Sequence, residues 1–183
     1  LCTGALAFYG PKIFQDISKT TEKLHRRHSH LRRNFSNSIY PTMTFNFGPA
    51  TVCFEHTDSG NGPVYWCAVT PGGSYNPKLG GHLILFDLKL IIEFPPGSTI
   101  LLPSGSMRHG NVPIQEGETR MSITQYCPGG LTRWVRYGFK TADALGKDRV
   151  DKIIGDGHKR WRRALRKFSR VDDLCQDRMN VFA

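Results

Sequence analysis

His56 and Asp58 stand two positions apart in the stretch FEHTDSGNG. On an extended strand alternate side chains leave the same face, so an imidazole and a carboxylate at this spacing converge on one point. Together they supply two of the three donors of a 2-His-1-carboxylate facial triad, which holds non-haem iron(II) with open positions on one side. By spacing alone, two polar residues on a solvated edge are the better reading, since His-x-Asp is a weak pattern that arises often by chance. The third ligand has to come from a distant strand, and the downstream candidates are His82, His109 and His158. His82 sits in GGHLILFDLKL among apolar neighbours, where a hydrogen-bonded structural histidine is the usual outcome, and His158 lies in a basic tail. His109, in SGSMRHGNVPI, ends one short strand pattern just before another and is the expected partner.

Ten residues after His109 begins the run TRMSITQY, with Arg120 eleven residues on. It alternates so that Arg120, Ser122, Thr124 and Tyr126 share one face, with Met121 and Ile123 on the other. Facing a cavity, the first set offers a guanidinium and three hydroxyls in a row. A planar guanidinium grips a carboxylate through two parallel hydrogen bonds, so beside a metal it would anchor a 2-oxo acid by its far end. The bland alternative is a surface arginine paired with Glu116 or Glu118. The order of the signals favours the first reading. His-x-Asp, one histidine 51 residues beyond Asp58 and an arginine 11 residues further match a metal-and-oxo-acid pocket in a double-stranded β-helix. Asn46, ten residues before His56 in TFNFG, could bond the same ligand from the preceding strand, with a core-satisfying asparagine as the competing reading. In such a site iron(II) takes a 2-oxo acid at two open positions and dioxygen at the third. The protein supplies placement and a dry, shaped pocket.

The elements that must position these groups follow from the pattern of the chain. Residues 11 to 33 are predicted to form a helix, with Pro11 in its first turn and Ile13, Ile17, Leu24, Leu31 and Phe35 on one stripe. His25, His28 and His30 lie within it, but four arginines surround them and a basic, solvated or phosphate-facing surface is the expected role. From residue 38 to about 140, short Thr-, Val-, Ile- and Phe-rich runs alternate with Gly and Pro, predicting about eight strands in a sandwich or open barrel. GLTRWVRYGF is the last of these runs. The tail from about 146 to 183 is predicted helical, broken at the GDG of 155 to 157. Beyond the break Trp161, Leu165 and Phe168 form an apolar stripe ringed by Lys159, Arg160, Arg162, Arg163, Arg166 and Lys167, an amphipathic basic helix.

A chain of 183 residues fits one globular domain with a substantial core. The net charge of +10 gathers in residues 19 to 33 and 158 to 170 and favours an anionic partner such as nucleic acid. Five cysteines form an odd set with no CxxC pair, which argues against a disulfide framework or a cysteine-based zinc site and for a reducing, intracellular compartment. The opening LCTGALAFYG does not read as a signal peptide, and the chain is expected to be part of a longer one. No apolar run approaches the roughly 20 residues of a membrane span, so no membrane partner is expected.

His56-x-Asp58, His109 and Arg120 resemble the signature of the iron(II)/2-oxoglutarate-dependent dioxygenases. The wider wording NFGP, HTDSGN, GGHLILFDLKLIIEFPPGSTILLPSGSMRHGN and GETRMSITQY is similar to a group of basidiomycete fungal proteins in the TET/JBP-like branch, over residues 8 to 141 or so. That resemblance implies a mainly β fold with flanking helices around a double-stranded β-helix of jelly-roll or cupin-like type. It implies His56, Asp58 and His109 as iron ligands, and Arg120, Ser122 and Asn46 around 2-oxoglutarate. Tyr126 stands where some relatives carry a second arginine. The activity implied is oxidation of a methylated DNA base, 5-methylcytosine or N6-methyladenine, with dioxygen consumed and succinate and carbon dioxide released. A base must leave the duplex to reach a buried metal, and Asn61, Tyr65, Trp66 and Trp134 are the candidate substrate contacts, with the basic flanks on the phosphates. A nuclear location goes with that substrate. Two alternatives stay open: the same chemistry on a protein side chain or small molecule, and an inactive nucleic-acid-binding module.

Overall fold

The computed structural model describes residues 2 to 182. The chain divides into two compact units, one of Thr42–Tyr126 and one of the residues up to Pro41 together with those from Cys127 on.

The first unit is antiparallel β-structure. Its strands are β1 (Thr42–Asn46), β2 (Cys67–Ser74), β3 (Leu83–Leu85), β4 (Leu90–Ile92), β5 (Ile100–Leu102), β6 (His109–Asn111) and β7 (Thr119–Tyr126). A four-stranded sheet runs β1-β7-β2-β5 and a three-stranded sheet runs β4-β3-β6. His56 adds to the free edge of β6 through an isolated antiparallel bridge to His109. Cys67, Leu83, Leu85, Phe94 and Leu102 come from both sheets and pack in one cluster, joined by Val69, Ile92, Ile100, Met107 and Tyr126. The sheets therefore face each other across this core, and each fully buried side chain of this size contributes about 1.5–3 kcal/mol.

The alternation expected for β7 holds. Arg120 and Ser122 are buried, whereas Met121 and Ile123 are exposed. Gly73 stands opposite Arg120 in the register with β2. Its φ is +112°, and a Cβ there would lie 2.2 Å from the Thr119 carbonyl oxygen, so only glycine fits this close approach. Two runs read as strands fold otherwise. GGHLILFDLKLIIEF makes a β3–β4 hairpin around a 3-10 turn at Phe86–Leu88, closed by Lys89 in the left-handed region with φ +54°. TVCFEHTD makes only the single bridge at His56.

The second unit is helical: α1 (Cys2–Tyr9), α2 (Pro11–Arg27), α3 (Gly129–Arg136), α4 (Ala142–Leu145), α5 (Lys147–Ile154), α6 (Gly157–Leu165) and α7 (Leu174–Phe182). Ile13, Ile17 and Leu24 form the buried stripe of α2 as expected. The helix ends six residues earlier than predicted, at Arg27. His28, Ser29 and His30 are weak helix formers, and Leu31 and Phe35 are exposed rather than on the stripe. GLTRWVRYGF, predicted as a strand, is the helix α3. Its apolar Leu131, Trp134 and Val135 recur at i, i+3 and i+4, a helical period in a run too short to declare itself. The β-structure consequently spans 42 to 126 rather than 38 to 140.

The GDG break falls where expected. Gly155, with φ +69°, ends α5, and the Asp156 carboxylate caps α6 by accepting from the Lys159 N–H at 2.7 Å. Trp161 is 63% exposed and Leu165 is exposed as well. Phe168 lies beyond the end of α6. No helix among the described residues is long and apolar enough to cross a membrane.

Candidate metal centre

His56 and His109 face each other across their bridge and exchange both N–H···O bonds, each 3.0 Å. This pairing holds the two rings side by side, with centroids 4.4 Å apart. Asp58 follows two residues on, its N–H donating to the Ser104 carbonyl at 2.9 Å. Its Oδ1 lies 3.5 Å from Nε2 of His56. One ligand atom from each of His56, Asp58 and His109 falls within 4.8 Å of the others.

The ring nitrogens are sorted by their backbone neighbours. Nδ1 of His56 lies 2.7 Å from the Phe54 carbonyl, and Nδ1 of His109 lies 2.9 Å from the Met107 carbonyl. A carbonyl only accepts, so each Nδ1 carries the proton and each Nε2 keeps a lone pair for a metal. Asp58 is sorted in the same way: Asn61 donates from Nδ2 to Oδ2 at 3.2 Å, leaving Oδ1 on the histidine side. The centre is open on one flank, since the side chains of His56 and Asp58 are 39% and 30% exposed while His109 is buried.

A β-bulge aims His56 at this point. The next pair along is Cys53 with Asn111: the Asn111 N–H donates to the Cys53 carbonyl at 2.9 Å, and the Cys53 N–H donates to Asn111 Oδ1 at 2.9 Å. Three steps separate Cys53 from His56 but only two separate Asn111 from His109, so one residue is extra at Phe54–Glu55. Gly110 sits opposite. A Cβ there would lie 2.8 Å from the Cys53 oxygen and 3.1 Å from the Phe54 oxygen. Arg108 ties the bulge to the β3–β4 turn, with Nη1 2.7 Å from Glu55 Oε1 and Nε 2.7 Å from Asp87 Oδ1. The backbone N–H of Arg108, followed by its side chain, holds the Asp87 carboxyl below the usual carboxylate range.

Arg120 is 3% exposed. Its Nη1 donates to the carbonyl and the hydroxyl of Thr51, both at 3.1 Å, while its buried Nε–H has no partner. The surface pairing with Glu118 does not occur; that carboxylate accepts from the N–H groups of Asn76 and Gln115 instead. A buried guanidinium with an idle N–H is costly unless an anion meets it. Tyr75 lies beside it. Burial pushes the phenol pKa up, partly opposed by the Arg120 charge. The Thr51 carbonyl also accepts from Asn111 Nδ2 at 3.3 Å, so the arginine and the His109 strand share one oxygen. Ser122 is buried on the same face, and Asn46, its register partner on β1, donates to Ser122 Oγ at 3.0 Å.

The remaining sequence candidates are dispersed. Asn61 is at Asp58, as described. Tyr65 is buried, its ring against Gly62, and Trp66 is half-buried just before β2. Trp134 lies on α3 in the helical unit, edge-on to Phe139 with centroids 6.4 Å apart. Thr51, Ser104, Gly110 and Asn111 were not singled out from the sequence, and only Gly110, next to His109, carried a local signal. Cys67, hydrogen-bonded to Ser104, is also part of the surroundings; burial pushes its thiol up to about 11.

Two imidazole nitrogens and one carboxylate oxygen are a donor set that fits iron(II). The unpartnered N–H of Arg120, with the Ser122 hydroxyl beside it, fits the far carboxylate of 2-oxoglutarate. No family model and no curated protein matches this chain. Among solved structures it is similar to NgTET1 in complex with 5mC DNA, at 17% identity and a TM-score of 0.47, covering 63% of this chain and 48% of that one. This chain thus spans about half the length of NgTET1 there. It is also similar to the viral collagen prolyl hydroxylase vCPH from Paramecium Bursaria Chlorella virus-1 in its 2OG complex, at 16% identity and a TM-score of 0.32, covering 60% of this chain and 69% of that one. Likeness this distant transfers neither a substrate nor a residue's role.

Proposed function

We propose that this chain is an iron(II)- and 2-oxoglutarate-dependent dioxygenase of the TET/JBP-like branch, acting on a methylated base in DNA. 5-Methylcytosine is the first substrate to test and N6-methyladenine the second. The observation that carries the reading is the convergence of His56, Asp58 and His109 with both Nδ1 atoms tied to backbone carbonyls. A chance cluster of polar side chains has no reason to bring one ligand atom of each within 4.8 Å while both Nδ1 atoms are held by backbone carbonyls.

In this reading His56, Asp58 and His109 hold the metal through Nε2, Oδ1 and Nε2. Arg120 clamps the distal carboxylate of 2-oxoglutarate, and Ser122 with Asn46 fixes its orientation. Tyr75 and Thr51 keep the guanidinium in place and water away from it. Once bound, iron(II) with 2-oxoglutarate and dioxygen supplies the oxidant for a C–H bond, and the co-substrate leaves as succinate and carbon dioxide. The strand orders support a double-stranded β-helix as the scaffold. Successive extended segments alternate between the two sheets, with one hairpin, β3–β4, in the middle.

Support for DNA as the substrate is of a different kind. The charge of +10 and the exposed Arg160, Arg162 and Arg166 suit a phosphate backbone. The open flank at His56 and Asp58 suits a flipped base presented by a polymer. The test is anaerobic loading with iron(II) and 2-oxoglutarate, then air with methylated or unmethylated DNA, followed by nucleoside mass spectrometry. Hydroxymethylcytosine that disappears in His109→Ala is the expected result. Succinate without an altered nucleoside moves the substrate to a protein side chain or small molecule, and failure to bind metal leaves a nucleic-acid-binding module.

A further inference from the structure

Asn61 was expected at the substrate, yet its bonds run the other way. A carboxamide has two N–H donors. Both are committed, one to Asp58 Oδ2 at 3.2 Å and one to Ser104 Oγ at 2.9 Å. Only its oxygen is left for any other partner. The backbone repeats the tie, since the Asn61 N–H donates to the Asp58 carbonyl at 2.9 Å and the Asp58 N–H donates to the Ser104 carbonyl at 2.9 Å.

Ser104 is fully buried, and its hydroxyl also contacts the Cys67 thiol at the edge of the core. Its neighbours close the same seam. Ser106 Oγ donates to the Pro63 carbonyl at 2.8 Å, and a Cβ on Gly105 would lie 3.0 Å from the Asn61 carbonyl oxygen. Two loops, 58 to 63 and 103 to 106, are thus held together directly behind one oxygen of Asp58.

We propose that Asn61 and Ser104 form a latch that fixes the Asp58 carboxylate as a one-oxygen metal ligand. Asn61 is a positioning residue, acting through Asp58. With Oδ2 occupied by an N–H donor, the carboxylate is turned so that Oδ1 alone faces the two imidazoles. Ser104 fixes the rotation of the carboxamide, because it takes the second N–H. The consequence is chemical: a two-oxygen carboxylate would use up one of the positions that the co-substrate or dioxygen requires. This inference rests on the metal centre proposed above, and its test separates the two.

The experiment titrates cobalt(II) into the metal-free protein and follows its visible absorption, with no co-substrate or DNA present. Asn61→Ala, Asn61→Leu (which keeps the volume) and Ser104→Ala are compared with wild type and with Asp58→Ala, each checked by its melting temperature. The latch requires cobalt(II) binding weakened about 10–100-fold in each latch variant, the range for losing a partner behind a ligand, together with an altered absorption band. The double variant Asn61→Ala/Ser104→Ala should cost no more than the worse single one, because both act through one chain of bonds. Wild-type affinity and absorption in a folded Asn61→Leu overturn the latch. If Asp58→Ala loses cobalt(II) in that same series, the metal centre stands without the latch; if Asp58→Ala also binds as wild type, the metal centre itself is wrong.

Discussion

Both units have an apolar core, but they differ in the polar side chains they bury. In the helical unit Leu6, Ala7, Ile13, Ile17 and Leu24 fill the interior, and the buried polar side chain Thr21 only returns its hydroxyl to the Ile17 carbonyl of its own helix, 2.8 Å away. In the β unit the interior holds Ser104, His109, Asn111, Arg120 and Ser122, five of the six buried polar or charged side chains among the described residues. Burying a polar group costs about 1–3 kcal/mol when it lacks a partner. A fold that only needed stability would fill both interiors alike. Thr51 links Arg120 to Asn111, Asn61 links Ser104 to Asp58, and Arg120 still has an idle N–H. The difference places the candidate site in the β unit, where buried polar groups are the expected mark of a site rather than of packing alone.

The comparison breaks most visibly at the ligands. His56→Ala or His109→Ala should weaken iron(II) or cobalt(II) binding by more than the 10–100-fold expected for losing an outer partner, measured by titration under argon. Truncations on the helical unit's surface should leave that affinity unchanged. Arg120→Met comes next. It should retain the metal, weaken 2-oxoglutarate by about 100-fold or more, and raise the melting temperature of the ligand-free protein, because an incompletely paired buried charge is replaced by hydrocarbon. Arg120→Lys should not restore co-substrate binding, since a point charge lacks the planar fork.

Glycine substitutions sharpen the contrast at smaller scale. Gly110→Ala drives a methyl group into the Cys53 and Phe54 carbonyls, so thermal unfolding should show a loss of about 1–3 kcal/mol, with metal affinity falling as the bulge shifts. Gly4→Ala, on α1 with open space around it, should gain about 0.5 kcal/mol. The smallest effect is on thiol reactivity. With Cys67 held at about 11 and Cys127 at about 12 by burial, both should resist alkylation at pH 8 while exposed Cys175 reacts. At that pH about one Cys67 in a thousand is thiolate, a fraction that grows roughly tenfold per pH unit below the pKa. Rapid labelling of Cys67 in the folded protein would contradict its place in the core.

Local spacing made part of the site legible. Arg120 with Ser122 obeys the two-residue period of a strand, and the two-residue spacing of His56 and Asp58 brings their side chains together although only His56 is bridged. His109 followed from Arg120 eleven residues on, together with the poorer contexts of His82 and His158. What stayed hidden is set by register between distant segments. The bulge at Phe54–Glu55 exists only because Cys53 pairs with Asn111, and Thr51 matters only because Arg120 and Asn111 both reach its carbonyl. Asn61 was picked out for the substrate; its bonds to Asp58 and Ser104 depend on a loop 43 positions away. The helices were lost for a simpler reason. GLTRWVRYGF is too short for its period to separate helix from strand, and α2 stops at a run of weak helix formers that the arginines around it obscured.

The central claim is that three side chains hold one metal and that a buried guanidinium holds the acid beside it. Anaerobic calorimetry on the wild-type chain tests both at once, first with iron(II) and then with 2-oxoglutarate. The account requires one iron(II) per chain, and 2-oxoglutarate binding that is strong with the metal present and weak without it. A chain that takes up no iron(II), or binds 2-oxoglutarate equally well without it, contradicts the account.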